Sequence, residues 1–390
     1  MRLHRSLGAL TVGALLLGTA DSALAQDSTP GATGGLDIAT RSQLAAITLD
    51  SSSLPDGYTF SGETFLSADQ LAAGDVSADA LTGAGFVGYY VSEYENAADG
   101  TSIRSYVSAW NSGGEVQAGF DLLEDEAKTL PGGTFTDGTT DIGNDPREST
   151  TGTYTDPADE AVTIGTNDVT FTVDRFLVGV ALETSDGSEA NADTVNTLAA
   201  DLKSRADSVV AGTAPAGTDL GLPAAGIDIS GLGTNLQSGF LNATESELLL
   251  GLNGSALAGF SASWVESVGL GSGDALAPFV TIASTVFADD AAATAVVSQA
   301  ADLTPGLEGL TAVDGVEVAG ASSVTAFSFS SEAAEGSDAD SFRIVYATGS
   351  KVTVVDVQSA PSAEVAQSAA TELANAAPGS APAAPAGLVG

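Results

Sequence analysis

The chain carries one ordered set of landmarks twice, about 174 positions apart, so any fold assigned to one half must also serve the other. SADQLAAG at 67–74 and ADALTGAGF ending at Phe86 are answered by NATESELLLG at 242–251 and GSALAGF ending at Phe260. After each phenylalanine come two strand-like runs joined by a turn: FVGYYVSEYE and TSIRSYVSAW around Asp99-Gly100, then FSASWVESV and LAPFVTIASTVF around 269–274. A helix follows in both halves. Ser112 with Glu115 makes a capping box ahead of Val116, Phe120 and Leu123, and Asp289 or Asp290 caps a helix that turns Val296, Val297 and Ala300 inward. Further strands come next, TTGTYT, AVTIG, VTFTV and FLVGVALE in the first half, SVTAFSF, SFRIVYA and KVTVVDV in the second. Each half closes with an amphipathic helix, Asp193–Val209 on Val195, Leu198 and Leu202, and Ser362–Ala376 on Val365, Ala369 and Leu373. Shared composition would not preserve order, so the pattern reads as tandem duplication.

Hairpin-linked strands bracketed by single helices predict an α+β class: two tandem related domains, each an antiparallel sheet with helices packed on one face. The organisation follows from composition shifts. Residues 1–25 read as a signal peptide, 26–43 as a flexible lead, 44–210 as the first repeat domain, 211–225 as a linker marked by Pro215 and Pro223, and 226–376 as the second repeat domain. Residues 377–390 are Ala/Pro/Gly-rich and read, like the lead, as disordered.

The signal reading rests on Arg2 and Arg5, the small and apolar run Ser6–Ala20, and Ala23-Leu24-Ala25 before Gln26. Glycines at 8, 13 and 18 interrupt the run, and no later stretch is long and apolar enough to span a bilayer, so no membrane insertion is expected after cleavage. Cleavage removes the single histidine, His4, and the single methionine, Met1, from a chain that has no cysteine. A Ser-His-Asp triad, a thiolate nucleophile, and zinc, copper or iron sites built on His or Cys are then closed to it. The balance of 51 acidic against 11 basic side chains, formally −40, repels phosphates, and the bases never form a run, which excludes nucleic acid as a partner.

What remains is oxygen chemistry. Glu93 and Glu95 lie two apart on a strand, with Glu266 near the equivalent of Glu93, and form a candidate acid/base pair. Calcium is the cofactor that suits an oxygen-only chain. Its candidate ligands are Asp137, Asp141 and Asp145 with Asn144, then Asp186, Glu189 and Asp193, then Asp338 and Asp340, although none completes an EF-hand spacing and Asn191 or Asp193 also suits a helix cap. Tyr89, Tyr90, Tyr94, Tyr106, Trp110 and Trp264 crowd the first hairpins and read as core or as a ligand platform. Arg104, Arg175 and Arg343 read as partners of nearby carboxylates. Asn242 and Asn253 match the glycosylation pattern. The expected function is an exported, acidic, non-enzymatic binding or structural module of the extracellular space or cell envelope; the alternative is a carboxylate-dependent extracellular hydrolase of polysaccharide or peptide, assisted by calcium.

Overall fold

The computed structural model describes residue 36 and residues 38–388, apart from 73–75, 128–130, 157–160, 216, 221–226, 251, 253–256, 271–277, 304–309, 333–337 and 377–381. The signal segment and Asn253 lie outside the described residues. The chain divides into two compact units after Pro215.

The first unit contains α1 (Ile38–Ile47), β1 (Thr59–Leu66), α2 (Ala68–Leu71), α3 (Ala78–Gly83), β2 (Phe86–Asn96), β3 (Thr101–Trp110), α4 (Glu115–Ala127), β4 (Thr134–Gly138), β5 (Asn144–Thr155), β6 (Thr163–Val173), β7 (Phe176–Thr184) and α5 (Ala192–Val210). The second contains β8 (Thr234–Leu241), α6 (Ala243–Leu250), β9 (Phe260–Gly269), β10 (Phe279–Phe287), α7 (Asp290–Leu303), β11 (Leu310–Ala312), β12 (Ser323–Glu332), β13 (Asp338–Thr348), β14 (Lys351–Ala360) and α8 (Ala363–Ala374). Each has one seven-stranded sheet, ordered β1-β2-β3-β7-β6-β5-β4 and β8-β9-β10-β14-β13-β12-β11. The two orders are the same. A middle helix, α4 or α7, carries the chain from the third strand to the far edge, and a four-stranded meander returns to pair with that third strand, antiparallel throughout.

Even the irregularities coincide. A bulge interrupts the first strand between Phe60 and Gly62 and again between Asn235 and Gln237, opposite Tyr94 and Glu93 in one sheet and Val268 and Ser267 in the other. A second bulge follows Phe86 on β2 and Phe260 on β9, facing Trp110 and Phe287. Bulges fix register, so residues can be matched across the copies rung by rung.

The α+β class and the antiparallel sheets stand, but the helices cover both faces of each sheet instead of one. In the second unit Val345, Ala347, Val352 and Val354 pack with Val296, Val297 and Ala300 of α7. Their strand neighbours Ile344, Tyr346, Val355 and Val357 pack with Ala366, Ala369 and Leu373 of α8. In the first unit Tyr89, Val91, Tyr106 and Trp110 meet Val116, Phe120 and Leu123 of α4. The opposite face receives α1 and α5: Ser92 and Tyr94 donate to the Leu49 carbonyl, Ser105 accepts from the Leu49 amide, and Arg205 of α5 donates to the Thr48 carbonyl. The physical reason lies in the central strands. Every residue of FLVGVALET is buried, and such an uninterrupted run needs cover on both sides.

Side-chain caps start three of the helices, whereas at the expected Ser112–Glu115 box the serine hydroxyl donates to the glutamate carboxylate and the Glu115 amide bonds the Ser112 carbonyl. Asn191 accepts from the Thr194 amide at 3.0 Å, Ser362 from Val365, and Asp289 from Ala292. Asn242 and Glu245 form a reciprocal capping box at the start of α6. The boundaries carry more structure than composition suggests. Ile38 to Gln43, in the lead, belong to α1, where Arg41 is buried, and Leu388, in the Ala/Pro/Gly segment, lies in the core of the second unit. A leucine and a proline placed where a turn lets them reach the core are enough to fasten such a segment.

Candidate functional site

Sheet registration places ionic side chains on one rung of each domain, on the face shared with the middle helix. In the first domain the rung reads Glu93, Arg104, Ala181, Asp168, Thr150 across β2, β3, β7, β6 and β5. The matching rung in the second reads Ser267, Thr281, Asp356, Arg343, Phe327 across β9, β10, β14, β13 and β12. Each rung carries an arginine facing a carboxylate, but the pair has moved along the sheet.

In the first domain Arg104 is buried. Its Nε donates to Glu93 Oε1 at 2.7 Å, and its Nη1 lies 3.8 Å from Glu183 Oε1. Burial by itself would lower the guanidinium pKa; Glu93 and Glu183 reverse that and hold it above the ordinary arginine value. Glu183 also accepts from Tyr154 Oη at 3.1 Å and from Ser102 Oγ at 3.4 Å. Burial, reinforced by Glu183, keeps the Tyr154 phenol protonated well above its usual pKa. Next to this group Tyr106 Oη donates to Asp168 Oδ2 at 3.0 Å, and Thr170 donates to Asp168 Oδ1 at 2.8 Å. Tyr89 stacks on Tyr106 with ring centroids 6.2 Å apart, and its electrostatic neighbours are Arg104, Glu93 and Asp168. The Tyr89 hydroxyl and the Thr166 hydroxyl are both buried without a hydrogen-bond partner among the described residues.

In the second domain Arg343 Nη2 donates to Asp356 Oδ2 at 2.6 Å and Nη1 to the Leu249 carbonyl at the end of α6, while Gln358 donates to the same Asp356 oxygen. Arg343 Nε and Asp356 Oδ1 keep unused, buried bonding capacity. In both domains the face that carries the ionic rung thus combines formal charge with unspent hydrogen-bonding groups, a combination that burial makes costly unless something completes it.

Placement of the other candidates separates them. Glu93 belongs to the Arg104 network, whereas Glu95 is exposed beside the β2–β3 turn. Glu266 is not the equivalent of Glu93. It aligns with Ser92, one position along, faces the α8 side and accepts from the Ile229 amide. A one-residue slip reverses the face of a strand side chain, which is why an approximate offset misplaced it. Asp141 and Asp145 turn to Arg147, at 4.0 and 3.2 Å, and Asp137 is exposed on β4. Hydrogen bonds from the Ser188 hydroxyl and from the Ser188 amide lower the pKa of Asp186. Among the described residues no three His, Cys, Asp or Glu side chains gather closely enough to hold a metal ion. The aromatics are core: Tyr90 donates to Glu63, and Trp110 Nε1 to Ser108 at 2.9 Å. Arg104 and Arg343 pair with carboxylates as expected, whereas Arg175 donates to Gln43 and lies over the Phe176 ring.

No family model matches the chain, and no curated protein matches it. Among solved structures it is similar to the extracellular domain of PknH from Mycobacterium tuberculosis, at 13% identity and a TM-score of 0.31, over 42% of this chain and 95% of that one. Among the described residues no helix is long and apolar enough to cross a membrane.

Sequence reasoning overlooked Asp168, Glu183 and Asp356. The signal was present: each is a lone acid inside a strand that is otherwise apolar or Thr-rich, TIGTNDVTFTV, FLVGVALET and KVTVVDVQSA, where an unpaired carboxylate would be prohibitive.

Proposed function

We propose that the protein is an exported, non-enzymatic binding module in which the ionic rung of each domain is a ligand-contact subsite. One observation carries the reading: the matching rung in both copies holds an arginine–carboxylate pair, and buried polar atoms stay unpaired on the same face, Tyr89 Oη and Thr166 Oγ1 on other rungs in one copy and Arg343 Nε and Asp356 Oδ1 on the rung itself in the other. The ligand class that fits is neutral or cationic and rich in hydroxyl or amino groups, because a chain of formal charge −40 repels anions. The signal-like residues 1–25 support an extracellular or envelope setting. A hydrolase would need two facing carboxyl groups, and we prefer binding because Glu93 is committed to Arg104 and Glu95 is exposed.

The experiment is calorimetry of the full chain with neutral oligosaccharides and polyamines. A ligand of the rung raises the transition of the domain it occupies. That shift disappears in Glu93→Gln for the first domain or Asp356→Asn for the second. If no compound in either class moves either transition, or if the shifts survive both substitutions, the reading is wrong.

A further inference from the structure

The tetrapeptide Ala-Pro-Ala-Gly occurs twice, at 214–217 where the two units divide and at 384–387. Pro215 and Pro385 are both buried, and Gly217 and Gly387 both take the left-handed backbone, at φ of 80° and 86°. That conformation favours glycine over any residue with a side chain, so the glycine is fixed by the backbone at both places. A buried leucine comes after each, but at different spacing, Leu220 three residues beyond Gly217 and Leu388 directly after Gly387.

The second copy shows what the element covers. Leu388 joins the core cluster that contains Ala366, Ala369 and Leu373 of α8 and Val318 of the preceding loop. Gly387 runs beside the first turn of that helix, where a Cβ on it would lie 3.5 Å from Val365 Cγ2. The Leu388 amide turns back to the Pro385 carbonyl, so the two anchors are held by one turn. The loop wall is tied to the helix by Asn375, whose Oδ1 accepts from the Ala319 amide and whose Nδ2 donates to the Glu317 carbonyl. Helix and loop therefore form an apolar groove independently of the segment that fills it.

We infer that this groove, walled by α8 and the loop 313–321, is a peptide-binding site for a Pro-Ala-Gly-Leu segment, occupied here by residues 382–388 of the same chain. Recognition needs no charge: a proline and a leucine three residues apart fill it, and glycine between them supplies the turn. A second copy offers the same segment, so a vacated groove accepts a strap in trans.

The probe is a labelled synthetic peptide, PAAPAGLVG, titrated by fluorescence anisotropy against the full natural chain and against the full chain carrying Leu388→Asp. The substituted chain, its own anchor expelled, should bind the peptide saturably and about tenfold or more tightly than the natural chain, and a peptide with aspartate in place of leucine should bind neither. Equal binding by both chains, or none by the substituted one, overturns the proposal. If Leu388→Asp unfolds the second domain, Trp264 fluorescence decides instead: added peptide restoring the native signal supports the groove, and failure to restore it refutes it.

Discussion

Replacing Arg104 by methionine tests the rung most directly. The change removes one cation from between two carboxylates while keeping side-chain volume and apolar contact. Glu183, with a side chain only 4% exposed, is left buried without its cation; Glu93, at 30%, rehydrates. Removing one partner of a buried pair costs about 3–5 kcal/mol. Glu93's exposure and the retained Tyr154 and Ser102 bonds to Glu183 place the expected loss near the lower end, about 3 kcal/mol, or roughly 6–12 °C for a domain of this size. Substituting both Arg104 and Glu183 by methionine should recover most of it, because the uncompensated charge goes as well. The assay is thermal and urea unfolding followed by Trp110 fluorescence in a Trp264→Phe background, since each unit has a single tryptophan. A loss below about 1 kcal/mol for Arg104→Met, or a double substitution no more stable than the single, would falsify the claim that this network is ionic and dry.

Other perturbations separate the copies. Tyr89, Tyr90 and Tyr154 are all held above the usual tyrosine pKa, chiefly by burial. Above about pH 10 the unfolded chain loses these protons while the fold retains them, so the first domain should lose about 4 kcal/mol per pH unit. The second has one tyrosine, Tyr346, also raised, and Lys351, whose pKa burial lowers and whose contribution therefore improves as pH rises towards 10.5. Its transition should move far less in alkaline calorimetry, and equal movement would contradict the burial assignment. A Cβ on Gly179 would meet Tyr106 at 2.2 Å, so Gly179→Ala should cost about 1–3 kcal/mol by chemical denaturation; a neutral result would mean that Tyr106 has room to move. Asn191→Ala should remove about 1 kcal/mol through the α5 cap, read by the same assay. Because Asp141 and Asp145 are directed at Arg147, a chelator should leave both transitions in place, and a fall of several degrees would restore calcium at that turn.

Order and spacing made the duplication legible, because hydrophobic period, turn residues and caps are local properties that survive divergence. Which face each helix covers was not legible, since it depends on where the crossover from the third strand lands. FLVGVALET reports burial on both sides without saying what supplies it. The entry to each repeat was also hidden. LDSSSL at 49–54 and IDISGL at 227–232 both place an aspartate to accept from the serine two residues on, Asp50 from Ser52 and Asp228 from Ser230, ahead of the first strand. They are about 178 positions apart, not 174, so a fixed offset passes over them. The APAG straps escaped for a different reason: small residues and prolines resemble linker until a turn shows where their few anchors point.

Comparing the rungs shows what the fold demands and what it leaves free. The bulges at Phe60 and Asn235, and after Phe86 and Phe260, occupy matching positions, because losing one would shift a strand and reverse every side chain beyond it. The ion pair is under no such constraint. It lies between β2 and β3 in the first copy and between β13 and β14 in the second. A charge pair can move across a sheet if both members move together, since only a stranded partner is heavily penalised. Among the described residues the second copy carries a single such pair on that face, Arg343 with Asp356. The first copy goes beyond it, surrounding Arg104 and Asp168 with Glu183, Tyr154, Tyr106 and an unpartnered Tyr89 hydroxyl. The unbonded hydroxyls of Tyr89 and Thr166 lower stability without a folding benefit, so on the binding reading proposed above the first domain is where ligand contact is expected to be strongest.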